Sequence, residues 1–403
     1  MSAVKVLTEA LVVALDRGEL AGAGLDGSLA EPTCQAATNA VDVLLDRVPT
    51  AVVNPRGPGR PRPAHGSGGP LMTLPITAPE DTVPLTAHLV RRGLAAAGSE
   101  LRVRPLTGGV SNDVLWVTGP GVDVVVKRAL SRLRVAETWT ADTGRLDTEG
   151  RALGLAARLT PESVPKVHDL SDGYLVIERA PLTWHTWRDD LLAGFVNLTV
   201  AERLGRVLGT WQRLTAEDPA LLADFADRAV FTQLRVDPFH RTIRERHPDL
   251  AGPVDETIAV MARTSACLVH GDYTPKNVLA DPAGAGLWVI DWEVAHVGDP
   301  TFDPAWIIGH LLLKTLNEPR YAASYAEAAR MFLAALVAET SSVHSLDPAQ
   351  LVRQTACLVL ARVDGKSPAG YLGPEARRRA RTLGRALLQD PPASVSDAWE
   401  KLS

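Results

Sequence analysis

Apolar and polar residues follow two regimes along this chain. From residue 101 to residue 127 the pattern is short-period: apolar runs at 101–106, 114–117 and 122–127 are separated by Thr107-Gly108-Gly109-Val110-Ser111-Asn112 and by a second turn. This predicts strand, turn, strand, turn, strand. Tyr174-Leu175-Val176-Ile177 reads as another buried strand, closing on Glu178-Arg179-Ala180 before Pro181. Beyond Trp184 the period lengthens, and helices are predicted near 201–215, 304–316, 320–339, 348–363 and 374–388. Two short apolar runs, 266–269 and 287–290, interrupt the helical half and read as buried strands. The expected fold class is therefore α+β, with a strand-rich small lobe ahead of a larger helical one.

The first 71 residues differ from the rest. Val4, Leu7, Leu11 and Leu15 share one helical face, and Val41, Leu44, Leu45 and Val48 another, which predicts a helical hairpin. Residues 55–70 turn to Pro, Gly, Arg, Ser and His, a composition that cannot bury apolar area and predicts a flexible linker. The expected boundaries are an appendage over 1–53, a linker over 54–71, a first lobe over 72–180 and a second over 181–403. Met72 stands as an alternative start of the reading frame.

Composition narrows the classes without choosing among them. A chain of 403 residues with 46% apolar content can build two cores. Its 42 basic and 47 acidic residues, a net charge of −5, supply no field for nucleic acid or an anionic membrane, and neither partner is expected. Cys34, Cys267 and Cys357 lie too far apart for a zinc site or disulfide framework, and Cys267 is expected in the core. The apolar stretches at 10–15 and 307–313 are too short to span a bilayer, and no basic flank precedes a signal-like segment. A cytoplasmic protein is expected, and oligomeric state is left open.

Candidate chemistry is concentrated at His270-Gly271-Asp272-Tyr273-Thr274-Pro275-Lys276-Asn277 and Val289-Ile290-Asp291-Trp292-Glu293. Each acidic residue follows a predicted strand, which places Asp272, Asn277 and Asp291 on neighbouring loops. An aspartate, an amide oxygen five residues on and a second aspartate suit phosphoryl transfer from a nucleotide. One carboxylate orients a hydroxyl and accepts its proton, while the amide and the other carboxylate hold magnesium against phosphates. A lone His-Gly-Asp would be read as a turn, because Gly and Asp favour turns for backbone reasons. Here the Asn spacing, both strands and the Asp-x-Glu agree. Lys127 ends the apolar run Val124-Val125-Val126, where a lysine can reach the α and β phosphates; the competing reading is a solvated strand-end lysine. Its expected partner is Glu149, which begins a segment with Leu153, Ala156 and Ala157 on one face, with Glu137 as runner-up. Gly109, Ser111 and Asn112 form a loop that can lie over phosphates.

These motifs resemble the aminoglycoside phosphotransferase and choline kinase superfamily, whose fold is related to the protein kinases. The resemblance implies a two-lobed protein-kinase-like fold with a nucleotide-binding lobe over 72–180 and a catalytic, substrate-binding lobe over 181–403. It implies ATP and Mg2+ as cofactors, Asp272 as base, Asn277 and Asp291 as metal ligands, and Glu293 as a further ligand. It also implies a hinge at Glu178 and Ala180 whose backbone meets adenine, and supporting roles for His270 and for Asp303, which would brace the catalytic loop. Several segments, among them Val126-Lys127-Arg128-Ala129-Leu130, Glu149 with Ala152-Leu153, Asp291-x-Glu293 and Phe302-Asp303 leading to Ile308-Gly309-His310, are similar to methylthioribose kinases. That subgroup typically has Ser at Asn277, Pro at Trp292 and two arginines where only Arg362, a candidate substrate residue, appears. Gln212 stands where the broader family commonly has histidine.

The expected function is transfer of the ATP γ-phosphate to a hydroxyl of a small alcohol, such as a sugar or thiosugar. Alternatives are an aminoglycoside or other antibiotic phosphotransferase, a choline- or homoserine-type kinase, and a silent nucleotide-binding pseudokinase. A further reading makes residues 1–71 the functional part, with the kinase-like fold as a scaffold. Arg353, Arg362, Lys366 and Arg377 to Arg381 make the late helices neutral to basic, which favours an uncharged or anionic alcohol over a polycation.

Overall fold

The computed structural model describes residues 79–106, 112–129 and 144–402. The predicted helical hairpin and linker, Cys34, Gly109, Ser111, Glu137 and the proposed boundaries before residue 79 lie outside the described residues.

The small lobe is a five-stranded antiparallel sheet of β1 (Arg102–Pro105), β2 (Asn112–Gly119), β3 (Val122–Ala129), β4 (Val167–Ser171) and β5 (Tyr174–Glu178), in the order β1-β2-β3-β5-β4. Because side chains alternate along a strand, Val124 and Val126 face one side while Val125 and Lys127 face the other. The first side packs on Leu85 and Leu89 of α1 (Pro79–Arg91), together with Leu115, Val117 and Val176. The second packs on Leu146, Leu153 and Ala156 of α2 (Arg145–Leu159). This parity aims Lys127 at α2, the helix that carries Glu149.

The large lobe contains α3 (Leu198–Glu217), α4 (Ala251–Arg263), α5 (Phe302–Asn317), α6 (Ala322–Thr340), α7 (Pro348–Asp364) and α8 (Pro374–Gln389). Five of these match the predicted helices to within a few residues. Gly205 and Gly209 lie one turn apart on α3, where it packs on α6. A β-carbon at Gly205 would collide with the Phe332 carbonyl oxygen, and one at Gly209 would lie 2.6 Å from Cβ of Glu339. Their missing side chains set the close approach of the two helices.

The two predicted strands do form, as β7 (Cys267–Val269) and β9 (Leu287–Val289), but they do not pair with each other. β7 pairs with β10 (His296–Gly298), and β9 pairs with β8 (Val278–Ala280), which continues to β6 (His185–Thr186). These partners have two or three residues each, too few to show a period. Cys267 and Cys357 are both buried and free, and burial pushes both thiols up, so both serve as small core side chains. Among the described residues no helix is long and apolar enough to cross a membrane.

Candidate active site

The chain leaves β7 into a loop that α5 holds from beneath. Asp303, fully buried in the first turn of α5, accepts from the amides of His270 (2.7 Å) and Gly271 (2.9 Å). Burial pushes the Asp303 carboxyl up to about 7, against the pull of those two amides. Gly271 has φ +79°, and a β-carbon there would lie 2.8 Å from the Val294 carbonyl oxygen, so this turn requires glycine.

His270 links this loop to the next one. Its Nε2 donates to the Ile290 carbonyl at 3.1 Å, so its Nδ1 accepts from the Asp272 amide at 3.1 Å. Burial lowers its pKa to about 4, which keeps the ring neutral and suits this division of donor and acceptor. Trp292 packs on the ring with centroids 4.4 Å apart, backed in turn by Trp211 at 4.7 Å.

Asp272 is 3% exposed, and its two oxygens are treated unequally. Oδ2 receives Asn277 Nδ2 at 2.8 Å, Arg235 Nη2 at 3.0 Å and Lys276 Nζ at 3.0 Å. Oδ1 has no hydrogen-bond partner among the described residues. Burial disfavours the charged form, but Arg235 and Lys276 outweigh it and hold the carboxyl below its ordinary range. Asn277 spends Nδ2 on the Asp272 carboxylate and carbonyl, the latter at 2.9 Å, which turns its amide oxygen away from both.

Across the lobes, Lys127 is 5% exposed and donates to Glu149 Oε1 at 2.5 Å and to Asp291 Oδ1 at 3.1 Å. Burial would discharge the lysine, yet the two carboxylates reverse this and raise its pKa above the ordinary value. Asp291 is held well below the usual carboxylate range, with Lys127 outweighing desolvation. Burial pushes Glu149 up to about 7 against the attraction of Lys127. Asp291 adopts φ +71°, a left-handed conformation that aspartate tolerates better than most side chains. The expected pairing of Lys127 with Glu149 is thus present, and Asp291 is a second partner that the sequence did not suggest.

Two expectations change. Glu293 was expected to hold metal, but its Oε2 lies 3.2 Å from Nε of the buried Arg145 and accepts from Asn112 Nδ2 at 3.4 Å. One of its two oxygens is thus tied to the small lobe. Asn112, expected to face phosphates, is 2% exposed and makes that same tie. Arg362 donates from Nη1 to Ser367 Oγ at 2.9 Å and to its carbonyl at 2.5 Å. Glu178 closes β5, its amide bonded to the Lys166 carbonyl at 2.8 Å, and Arg179 donates to the Ala180 carbonyl at 2.6 Å. Gln212 is buried and bridges the Pro300 carbonyl and His344.

Arg235 escaped the sequence reading. It lies on a π-helix, Thr232–Arg241, is 9% exposed, and also donates to the Gly271 carbonyl at 2.8 Å. The available signal was an arginine between Leu234 and Val236, since a cation in an apolar run needs a buried partner.

The residues present fit magnesium. Among the described residues no three His, Cys, Asp or Glu side chains form a ready cage. Magnesium does not need one, because it commonly takes one or two carboxylates and draws its remaining oxygens from water and phosphate. Asp291 and Asn277, on loops joined by the hydrogen bond from the Ile290 amide to the Asn277 carbonyl at 2.9 Å, offer a carboxylate and an amide oxygen of that kind.

Residues 102–339, more than half of the chain, match the model of the phosphotransferase enzyme family. The chain belongs to that family. Curated relatives include methylthioribose kinases of Bacillus cereus, 27% identical over 227 residues covering 48% of this chain and 56% of the relative, and of Bacillus thuringiensis, 28% identical over 228 residues with the same coverage. The chain spans about half the length of the curated relatives it matches. Similar solved structures include the macrolide 2'-phosphotransferase MphH from Brachybacterium faecium, 18% identical with TM-score 0.44 over 79% of this chain and 97% of that one. Another is the amicoumacin kinase hAmiN in complex with AMP-PNP, Ca2+ and Ami, 14% identical with TM-score 0.47 over 80% and 97%. The family places the match across both lobes of the α+β fold, from β1 to the end of α6.

Proposed function

We propose that this chain transfers the γ-phosphate of ATP to a hydroxyl of a small metabolite, with Asp272 as the base. The observation that carries the reading is the asymmetry of the Asp272 carboxylate. Three donors fix Oδ2 and leave Oδ1 open for an acceptor hydroxyl. A base held ionised and oriented in this way accepts the proton as the oxygen attacks. Lys127, kept charged by Glu149 and Asp291, neutralises the nucleotide phosphates. Asp291 and Asn277 hold magnesium, which when bound offsets the phosphate charge. The backbone about Glu178 and Ala180 meets the adenine edge. Retention of Lys127, Glu149, Asp272, Asn277 and Asp291 in one connected site speaks against a silent pseudokinase. The test is incubation of the full-length protein with magnesium and ATP against a panel of sugars, amino alcohols and antibiotics; absence of acceptor-dependent ADP release throughout would overturn it.

If Glu149 acts by holding Lys127, Lys127→Ala should lower kcat/KM by about 10²-fold, in line with loss of one charge-stabilising donor. Glu149→Gln should lower it by a smaller factor, and the double mutant should show a coupling of about 0.5–3 kcal/mol. Strictly additive losses in steady-state kinetics would separate the two residues.

A chain beginning at Met72 should keep every residue named above, and we expect it to fold and turn over the same acceptor as the full-length protein. A soluble, monomeric but inactive truncation would make residues 1–71 part of the enzyme.

A further inference from the structure

Two of the buried polar atoms of the large lobe that lack hydrogen-bond partners belong to Tyr371 and Arg362, and a buried lysine stands against the ring of the first. Lys314 on α5 is 1% exposed, and no carboxylate or hydrogen-bond acceptor reaches its ammonium among the described residues. Its one neighbour of note is the ring of Tyr371, 5.6 Å from Nζ to the centroid. The Tyr371 hydroxyl is buried and unpaired, and so is Nε of Arg362 on α7. A cation–π contact is weaker than the cost of burying an uncompensated ammonium, so Tyr371 alone does not account for Lys314. Burial, then Arg362 and Arg188, depress the Lys314 pKa to about 7, with Asp189 opposing them only in part. Asp272 is close enough to contribute to the field at Arg362, and Lys276 to the field at His310, one turn before Lys314. Trp306, two turns before Lys314 on α5, lies under Arg235 at 5.5 Å, and Arg235 pairs with Asp272 at 3.0 Å, so the helix that carries Lys314 also borders the proposed base.

Three other arginines of the late helices face carboxylates. Arg381 pairs with Asp364 at 2.5 Å, Arg385 pairs with Asp249, and Arg353 lies 3.6 Å from Glu256. Lys314 and Arg362 have no carboxylate at ion-pair distance among the described residues.

We infer that the acceptor is an alcohol that also carries an anionic group, a carboxylate or a phosphate ester, held by Lys314, Arg362 and Tyr371 while its hydroxyl meets Asp272. The inference rests on the phosphotransfer reading and adds the substrate class to it. A carboxylate or phosphate would supply acceptors for the Lys314 ammonium, Arg362 Nε and the Tyr371 hydroxyl together, and charge-assisted bonds of this kind are stronger than neutral ones. A polycationic acceptor would meet repulsion in the same place.

The experiment compares matched alcohols that differ by the anionic group, ribose with ribose 5-phosphate and glycerol with glycerate, using full-length protein, magnesium and ATP. In at least one pair the anionic member should have at least a tenfold higher kcat/KM, and which pair shows it distinguishes phosphate from carboxylate. Lys314→Met should reduce that preference at least tenfold, and Arg362→Gln serves if the first variant does not fold. Equal or better use of the neutral member in both pairs, or an unchanged preference in the variants, would overturn the inference while leaving phosphotransfer intact. If no alcohol in the pairs is turned over, calorimetry with inorganic phosphate and with acetate, in the presence of magnesium and a non-hydrolysable ATP analogue, reads the site directly. Binding of either anion that is lost in the variant supports it, and binding of neither overturns it.

Discussion

Asp272→Asn is expected to lower kcat by about 10²–10⁴-fold, the range that a positioned proton acceptor contributes, while Mg-ATP affinity stays within a few-fold. The amide keeps the shape of the carboxylate and can still meet Asn277, so the loop should survive. It cannot take a proton from the acceptor, and it faces Arg235 and Lys276 without a negative charge. Steady-state turnover together with calorimetric nucleotide binding separates these effects, and turnover within a few-fold of wild type would remove Asp272 from the role. The wild-type pH profile should carry the same signature. The Asp272 carboxyl is held below its ordinary range, so the active, ionised base persists as pH falls past the usual carboxylate pKa. Activity governed by this group should be present above its depressed pKa and be lost only as pH drops through it.

Asp291→Ala is expected to abolish magnesium-dependent ATP binding in a calorimetric titration. The substitution removes the proposed metal-holding carboxylate and frees Lys127 of one of its two partners. It also places alanine at φ +71°, where a β-carbon without a polar end is poorly accommodated. Asp291→Asn keeps the backbone more at ease and isolates the loss of charge. Unchanged Mg-ATP affinity in the asparagine variant would show that the metal is held elsewhere.

The elements that the sequence disclosed are those whose period exceeds their ambiguity. Helices α3, α5, α6, α7 and α8 run for four turns or more and show a sustained apolar face, and β2, β3 and β5 carry apolar runs bounded by turns. β6, β8 and β10 have no such length, and their pairing is fixed by contacts between distant segments. Lys127, Glu149, Asp272, Asn277 and Asp291 were legible because their spacing matches what the proposed phosphotransfer needs. Arg235, Arg145 and Lys314 were not, since each owes its meaning to a neighbour far along the chain: Asp272, Glu293 and Tyr371. The tie of Glu293 to Arg145 was hidden for the same reason. Asp-x-Glu is a spacing, and only the tertiary fold shows that Arg145 neutralises the second carboxylate.

Contacts from the small lobe converge on a very short piece of the large one. Lys127 reaches Asp291, while Arg145 and Asn112 reach Glu293. Residues 291–293 therefore join the small lobe to the large one by two arms, Asp291 with a 24% exposed side chain and Glu293 with a 6% exposed one. Competition for Asp291 by an arriving cation would loosen the first arm and leave the second engaged. The Glu293 tie to Arg145 and Asn112 would hold the lobes joined while Asp291 turned to the proposed cation.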